Sequence, residues 1–382
     1  NQAAFARLIF GSSEQTRLVL LVAACLAAVI LHHFFEAVFA GLQLFRVVSA
    51  MQFCQSMVFA ASALGLMLGW RATAEGVIVG YAAGCVVSTA GVVAWAWLRG
   101  LAKSQRDADP QAPPHREFWP PLMRFAAGVW VANLLSNLFS VIDRYMILHW
   151  GAFETGAALE SIGNYHTSTI VPVLLVSVAN LLVGAMTPHL SHDWERGDTL
   201  RVANRLNRTL QLVAVSMLAA GVVVLVFCPW LFRIAFDEKY AAGLAVLPWT
   251  VASCVWFALL LVAQTYTWCA ERTRAAALPL ALGLGANVAL NAAWLPSWGL
   301  AGAVAATAVA TLISLMAQLA VNQRLGMRLA PSTAAACLCP ALLVGGAAVA
   351  AAGACGIALA AGVWWAASRS SRAGTPLAAR RG

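Results

Sequence analysis

Apolar runs of about 20 residues recur along the whole chain, each long enough to cross the hydrocarbon core of a bilayer. They predict spans at 17–39, 48–69, 76–98, 122–149, 162–187, 209–235, 243–269, 275–295 and 299–321. A last apolar stretch, 333–367, is too long for one ordinary crossing, and Gly353 to Gly356 would supply the turn between two short helices. The runs are continuous and do not alternate with period two, which argues against a β-barrel. The pattern predicts an all-α polytopic membrane protein, a helical bundle with about eleven transmembrane helices.

The polar breaks sharpen this picture. One set of loops carries Arg46; Arg99, Lys103, Arg106, Arg116 and Arg124; Arg196, Arg201, Arg205 and Arg208; Arg272 and Arg274; Arg324 and Arg328; and the tail Arg369, Arg372, Arg380 and Arg381. The intervening set holds only Arg7, Arg17, Arg71, Arg233 and Lys239. This every-second-loop bias is the positive-inside rule repeated, and it places the first set and the C-terminus in the cytoplasm. The longest break, 99–121, holds five Pro and mixed charge and reads as a cytoplasmic linker between two bundles. The loop 188–208 is also cytoplasmic, and its second half has the pattern of a short amphipathic helix on the membrane surface. Gly76, Gly80 and Gly84, four apart, predict close helix packing. The chain starts at Asn1 with no signal peptide before its first span. Its amino end therefore reads as a truncation point.

Composition agrees: 61% of residues are hydrophobic, 10% charged, and the mean hydropathy is +0.78. A soluble domain is nearer a quarter charged. The net charge of +9 does not point to nucleic acid, because the basic residues are spread over separate loops. Their natural partner is the anionic lipid of the inner leaflet. Most of the nine Cys, such as Cys25, Cys54, Cys85, Cys254 and Cys269, lie in apolar runs and behave as small hydrophobes. Cys337 and Cys339 are too close in spacing for a usual zinc pair.

No catalytic constellation, cofactor motif or Walker A loop is present in the sequence. Gly283-Leu284-Gly285 sits inside an apolar span, where a dinucleotide loop has no strand to follow. His189, His192 and Asp193 fit a solvated helix end better than a metal cluster. His32 and His33 are adjacent and point in different directions. Glu36, near the end of the same helix, reads as interfacial. The fourth span is different. Asn133, Ser136, Asn137, Ser140, Asp143 and Arg144 recur at spacings of three and four, a polar stripe on an apolar helix. A charge at mid-bilayer costs roughly 2.5–3.5 kcal/mol even on the gentler scale, so the stripe should face protein or water. Two readings stand: Asp143 and Arg144 neutralise each other near the outer interface, or a cavity wall offers a cation to an anionic substrate. Weaker stripes follow at His166, Thr169, Ser177 and Asn180; at Asn287 and Asn291; and at Thr307, Thr311, Ser314 and Gln318. Each alone reads as packing glue, and together they favour a central hydrophilic cavity.

Three stretches carry a family resemblance: RFAAGVWVANLLSNLFSVIDRYMIL at 124–148, TPHLSHDWERGD at 187–198, and FDEKYAAGLAVLPW with ERTRAAA and LNAAWLPSWGLAGAVAATAVATLIS beyond it. In order and spacing over 124–322 they resemble the Wzx-type oligosaccharide flippases of the multidrug/oligosaccharidyl-lipid/polysaccharide exporter superfamily. Asp237 stands where the family often has Gly. The resemblance implies two six-helix lobes around a cavity, often followed by two more helices. In that frame, 1–98 is the remainder of the N-terminal lobe, with three helices before it missing out of fourteen. The linker 99–121, a C-terminal six-helix lobe at 122–322, two additional helices at 333–367 and a basic cytoplasmic tail at 368–382 follow. Family cavities are usually rich in basic residues, whereas Arg144 is the one basic residue plainly placed in a span here.

The resemblance implies a non-enzymatic transporter of the inner membrane that flips a polyprenyl-diphosphate-linked oligosaccharide for polysaccharide biosynthesis. Its partners would be that lipid, anionic membrane lipids and polysaccharide assembly proteins. Asn133, Asn137, Ser140, Asp143, Arg144, Asn180, Asn287, Asn291 and Thr311 would line the substrate cavity, with no metal or cofactor. The rivals are a cation-coupled multidrug exporter of the same superfamily, a membrane polysaccharide polymerase or ligase, and a non-functional fragment. A polymerase or ligase needs a large outer loop with Arg or His, and 150–161 contains no Arg, Lys or His.

Overall fold

The computed structural model describes residues 16–42, 44–69, 73–100, 115–150, 155–236, 240–357 and 359. Helix is the only regular secondary structure among them. Eight of the helices are long and apolar enough to cross a membrane. The chain divides into two compact units, Asn1–Pro113 and Pro114–Gly382. The middle of the expected linker, 101–114, lies outside the described residues, as do most of the expected last crossing and the basic tail.

The first unit contains α1 (Thr16–Gly41), α2 (Phe45–Gly69) and α3 (Ala74–Leu98). Their outward faces are apolar, with Leu26, Phe34, Phe53 and Leu68 exposed, as suits a lipid solvent. Two of the three spaced glycines of α3, Gly80 and Gly84, make the close packing predicted for them. A Cβ at Gly80 would lie 2.9 Å from the Ala63 backbone nitrogen, and one at Gly84 would lie 2.6 Å from the Gln55 carbonyl oxygen. Gly84→Leu is therefore expected to lower this unit's stability by about 2 kcal/mol through overpacking. Thermal unfolding in detergent would measure it, and an unchanged midpoint would refute the contact.

Polar side chains also join these helices. Ser88 Oγ donates to the Met51 carbonyl at 2.8 Å. His32 is buried beside Thr89, while the neighbouring His33 faces away and meets Glu36 Oε2 at 2.8 Å. Glu36 also accepts from Gln52 Nε2, so it ties α1 to α2.

The second unit contains α4 (His115–His149), α5 (Thr155–Ile170), α6 (Val173–Glu195), α7 (Thr199–Phe236), α8 (Ala241–Cys269), α9 (Thr273–Arg324) and α10 (Pro331–Leu338). The short α11 (Ala341–Val344) and α12 (Gly346–Ile357) complete it. Its axis is α8, on which Val251, Ala252, Val255, Ala258, Leu259, Val262 and Ala263 are fully buried. Small and branched side chains all round a helix suit one enclosed by others. Trp256 Nε1 donates to the Cys337 carbonyl at 3.1 Å and anchors α10 to α8.

Several expected boundaries are corrected. The predicted span 162–187 is two helices, because the chain turns at Val171-Pro172. The predicted spans 275–295 and 299–321 are two arms of α9, which fold back on each other at Gly299 with φ 57° and ψ −135°. That left-handed geometry favours glycine. The helix expected to begin at 122 begins at His115. The predicted surface helix in 188–208 does not exist as a separate element. Instead α6 runs through Pro188 to Glu195, Gly197 turns at φ 75°, and 199–208 opens the long α7. Asp198 caps α7 by accepting from the Arg201 amide at 3.1 Å. Gly353 and Gly356 are helical, and the breaks in this stretch fall at Cys339-Pro340 and at Gly345.

Candidate functional site

The centre of the site is Asp143, near the C-terminal end of α4, with 0% exposure. It shares the buried face of that helix with Phe139, Met146 and Ile147. Successive helical residues are about 100° apart, so Arg144 is carried off that face. Of the two readings of this stripe, the one in which Asp143 and Arg144 neutralise each other is therefore not realised. Arg144 is exposed, with Nη2 3.4 Å from His166 Nδ1. The Asp143 carboxylate instead meets three uncharged donors from two other helices.

Tyr165 of α5 donates its hydroxyl to Oδ2 at 2.8 Å. Thr307 of α9 donates to the same oxygen at 2.7 Å. Asn291, on the other arm of α9, donates Nδ2 to Oδ1 at 3.0 Å and to Asn287 Oδ1 at 2.7 Å. Asn287 in turn donates Nδ2 to Thr307 Oγ1 at 3.3 Å. The fold-back at Gly299 brings Asn287 and Asn291 against Thr307, because residues equidistant from the reversal face each other.

The chemistry of this cluster is that of hard oxygen. A carboxylate, the amide oxygens of Asn287 and Asn291, the Thr307 hydroxyl and the Ala303 carbonyl, 3.0 Å from that hydroxyl, lie together. Asn291 Oδ1 is buried and has no hydrogen-bond partner. Such donors suit a small hard cation and not a soft metal. One carboxylate with neutral oxygens matches a single positive charge, which would offset the cost of an anion in an apolar interior. Among the described residues, no three His, Cys, Asp or Glu side chains converge on a metal position. Asp193, near the end of α6, pairs with Arg205 of α7 at 2.7 Å.

A cavity of about 190 Å³ opens beside the cluster, lined among others by Ser136, Ser140, Asp143, Arg144, Tyr165 and Thr169. Thr311 also lines it, donating to the Thr307 carbonyl at 2.7 Å. The predicted stripe of α4 is thus divided. Ser136, Ser140, Asp143 and Arg144 reach the cavity, while Asn133 and Asn137 are exposed and do not line it, and Asn137 Nδ2 donates to the Asn133 backbone carbonyl at 2.8 Å. Asn180 is exposed on α6 and does not join the site. Tyr165 was missed by sequence reasoning. Its only signal is adjacency to His166 in a weak stripe, and no spacing reports that its hydroxyl reaches back to α4.

Residues 129–293 match the MatE family model. No curated protein sequence matches the chain. Among solved structures, the chain is similar to the lipid II flippase MurJ in its inward closed conformation. The TM-score is 0.60 at 12% identity, covering 86% of this chain and 67% of that one. The chain therefore shares that protein's helical fold. Both findings agree with the superfamily resemblance read in 124–322.

Proposed function

We propose that this chain is a cation-coupled flippase for a polyprenyl-diphosphate-linked oligosaccharide in the inner membrane, with its Arg-rich loops and C-terminus in the cytoplasm. The observation that carries the coupling is the fully buried Asp143 among oxygen donors of α4, α5 and α9, directly behind a cavity wall that presents Arg144. The lipid-linked substrate is supported by the Wzx-type resemblance and by the fold shared with a lipid II flippase.

The roles follow from charge. A cation seated on the Asp143 oxygens neutralises the carboxylate and draws α4, α5 and both arms of α9 together. Its departure leaves an anion to be satisfied by Tyr165, Thr307 and Asn291 alone. Two packings of one lobe with different cation affinity are what coupling requires. Arg144 offers a planar fork that can hold a diphosphate in two parallel hydrogen bonds, which a lysine cannot reproduce.

The test is flipping of a fluorescent-sugar polyprenyl diphosphate in proteoliposomes, read by an impermeant quencher, with and without a sodium or proton gradient. Movement should depend on one of the gradients. Arg144→Ala should raise the KM for this lipid about tenfold, the equivalent of one lost charge-assisted contact, and Arg144→Lys should recover part of it. Gradient-independent flipping would refute coupling. Transport of a lipophilic cation but not of the lipid would favour the drug-exporter reading.

A further inference from the structure

From the Asp143 site, the second arm of α9 carries a row of polar residues that begins at Thr307 and continues past the coupling scheme. Thr307, Thr311, Ser314, Gln318 and Asn322 follow at spacings of four, three, four and four, and so share one helix face. All are buried, Ser314, Gln318 and Asn322 completely. The row descends about 22 Å at 1.5 Å per residue, most of the depth of a hydrocarbon core. It ends where Asn322 Nδ2 donates to the Ala263 carbonyl of α8 at 2.8 Å, two residues before Arg324.

Among the described residues, four buried side-chain polar atoms have no hydrogen-bond partner: Asn291 Oδ1, Ser314 Oγ, Gln318 Oε1 and Gln264 Nε2. Three of the four, Asn291, Ser314 and Gln318, are on α9 along this seam, with Asn291 at the Asp143 site; Gln264 is on α8. Opposite Ser314 the first arm has Gly283, where any Cβ would overlap the Ser314 hydroxyl, so the seam is lined there by backbone. Among the described residues, every other buried side-chain polar atom apart from Gln264 Nε2 is partnered, so a dry seam would be the exception.

We propose that a file of buried waters occupies this seam and gives the Asp143 oxygen site aqueous contact with the end of the lobe that carries Arg272 and Arg324. The partner must both donate and accept. Two of the seam orphans are amide oxygens, which need a donor, and the third is the Ser314 hydroxyl, which also has a proton to give, and water satisfies all three. The spacing also fits. Side chains four apart on a helix lie about 5–6 Å from each other, and one water bridging two groups spans twice a hydrogen bond of about 2.8 Å. Buried waters typically hold two to four such bonds to otherwise unsatisfied groups. The purpose assigned to the file, access for the coupling ion that does not cross the substrate cavity, rests on the function proposed above.

The test is the reaction of single cysteines with silver ion, a monovalent cation of small size, in the full chain with its natural Cys replaced. Ser314→Cys should react at least tenfold faster than Leu315→Cys, its buried apolar neighbour. Gln318→Met, close in volume but unable to hold water, should abolish that difference by closing the route from below. Gln318→Cys, compared with its buried apolar neighbour Leu319→Cys, gives a second reporter if Ser314→Cys fails to fold. Equal rates at Ser314 and Leu315 would overturn the proposal, since the seam is then dry. Fast reaction unaffected by Gln318→Met would also overturn it, since access then comes from the cavity. A wet, Gln318-gated seam in a protein whose flipping ignores every cation gradient would sink the coupling reading and leave the water file standing. A dry seam with gradient-driven flipping would do the reverse.

Discussion

Asp143→Asn is expected to leave the second unit folded and to cut gradient-driven flipping about tenfold to a hundredfold, the span of a typical coupling free energy. The separation follows from the hydrogen bonds. An asparagine keeps an oxygen for Tyr165 and Thr307, and Asn291 has an unpartnered Oδ1 with which to meet the new amide. The charge that would hold a cation is gone. Asp143→Leu differs in an instructive way. Thr307 still has the Ala303 carbonyl at 3.0 Å, and Asn291 still has Asn287 Oδ1 at 2.7 Å. Tyr165, whose hydroxyl bonds Asp143, is left with a buried donor, at a cost of about 1–3 kcal/mol. Adding Tyr165→Phe should recover most of that stability and none of the transport. Thermal unfolding and the flipping assay measure the two quantities separately. Full transport by a well-folded Asp143→Asn protein would remove Asp143 from the mechanism.

The second large effect is expected at Gly283. Any side chain there enters the seam between the arms of α9, overlapping the Ser314 hydroxyl and lying 3.1 Å from the Ala310 carbonyl oxygen. Gly283→Leu should prevent the arms from closing. Because Asn287 is one turn away, it should also displace the Asn287–Asn291–Thr307 bonds. Gly283→Ala should cost about 2 kcal/mol, within the range for overpacking a tight contact. Ser314→Gly, by removing the atoms it meets, should return much of the loss in a double-mutant cycle. If Gly283→Ala and Ser314→Gly are simply additive, the arms are not in contact at this rung.

Much of the fold was legible in the chain. Hydrophobic runs predict spans because a bilayer imposes one length and one polarity on every crossing. The glycines of α3 predict a close contact because only a missing Cβ permits it, and Gly84 sits against the Gln55 backbone. Boundaries were less legible. The break at Val171-Pro172 and the reversal at Gly299 both lie in apolar sequence, where hydropathy does not change although the backbone direction does.

The site shows the same division. Sequence by itself determined that α4 bears polar and charged residues a bilayer would not tolerate facing lipid, and that Asn287, Asn291 and Thr311 are repeated on helical faces. Period and composition are local properties, so they survive in one dimension. Only the tertiary structure decided that Asp143 turns from Arg144 toward Tyr165, Asn291 and Thr307, and that Asn133, Asn137 and Asn180 stand apart. Those partners lie 22, 148 and 164 residues away along the chain. A carboxylate buried among apolar neighbours takes whatever donors the packing of other helices brings to it, and that packing is set by side-chain shape rather than by any spacing in the sequence.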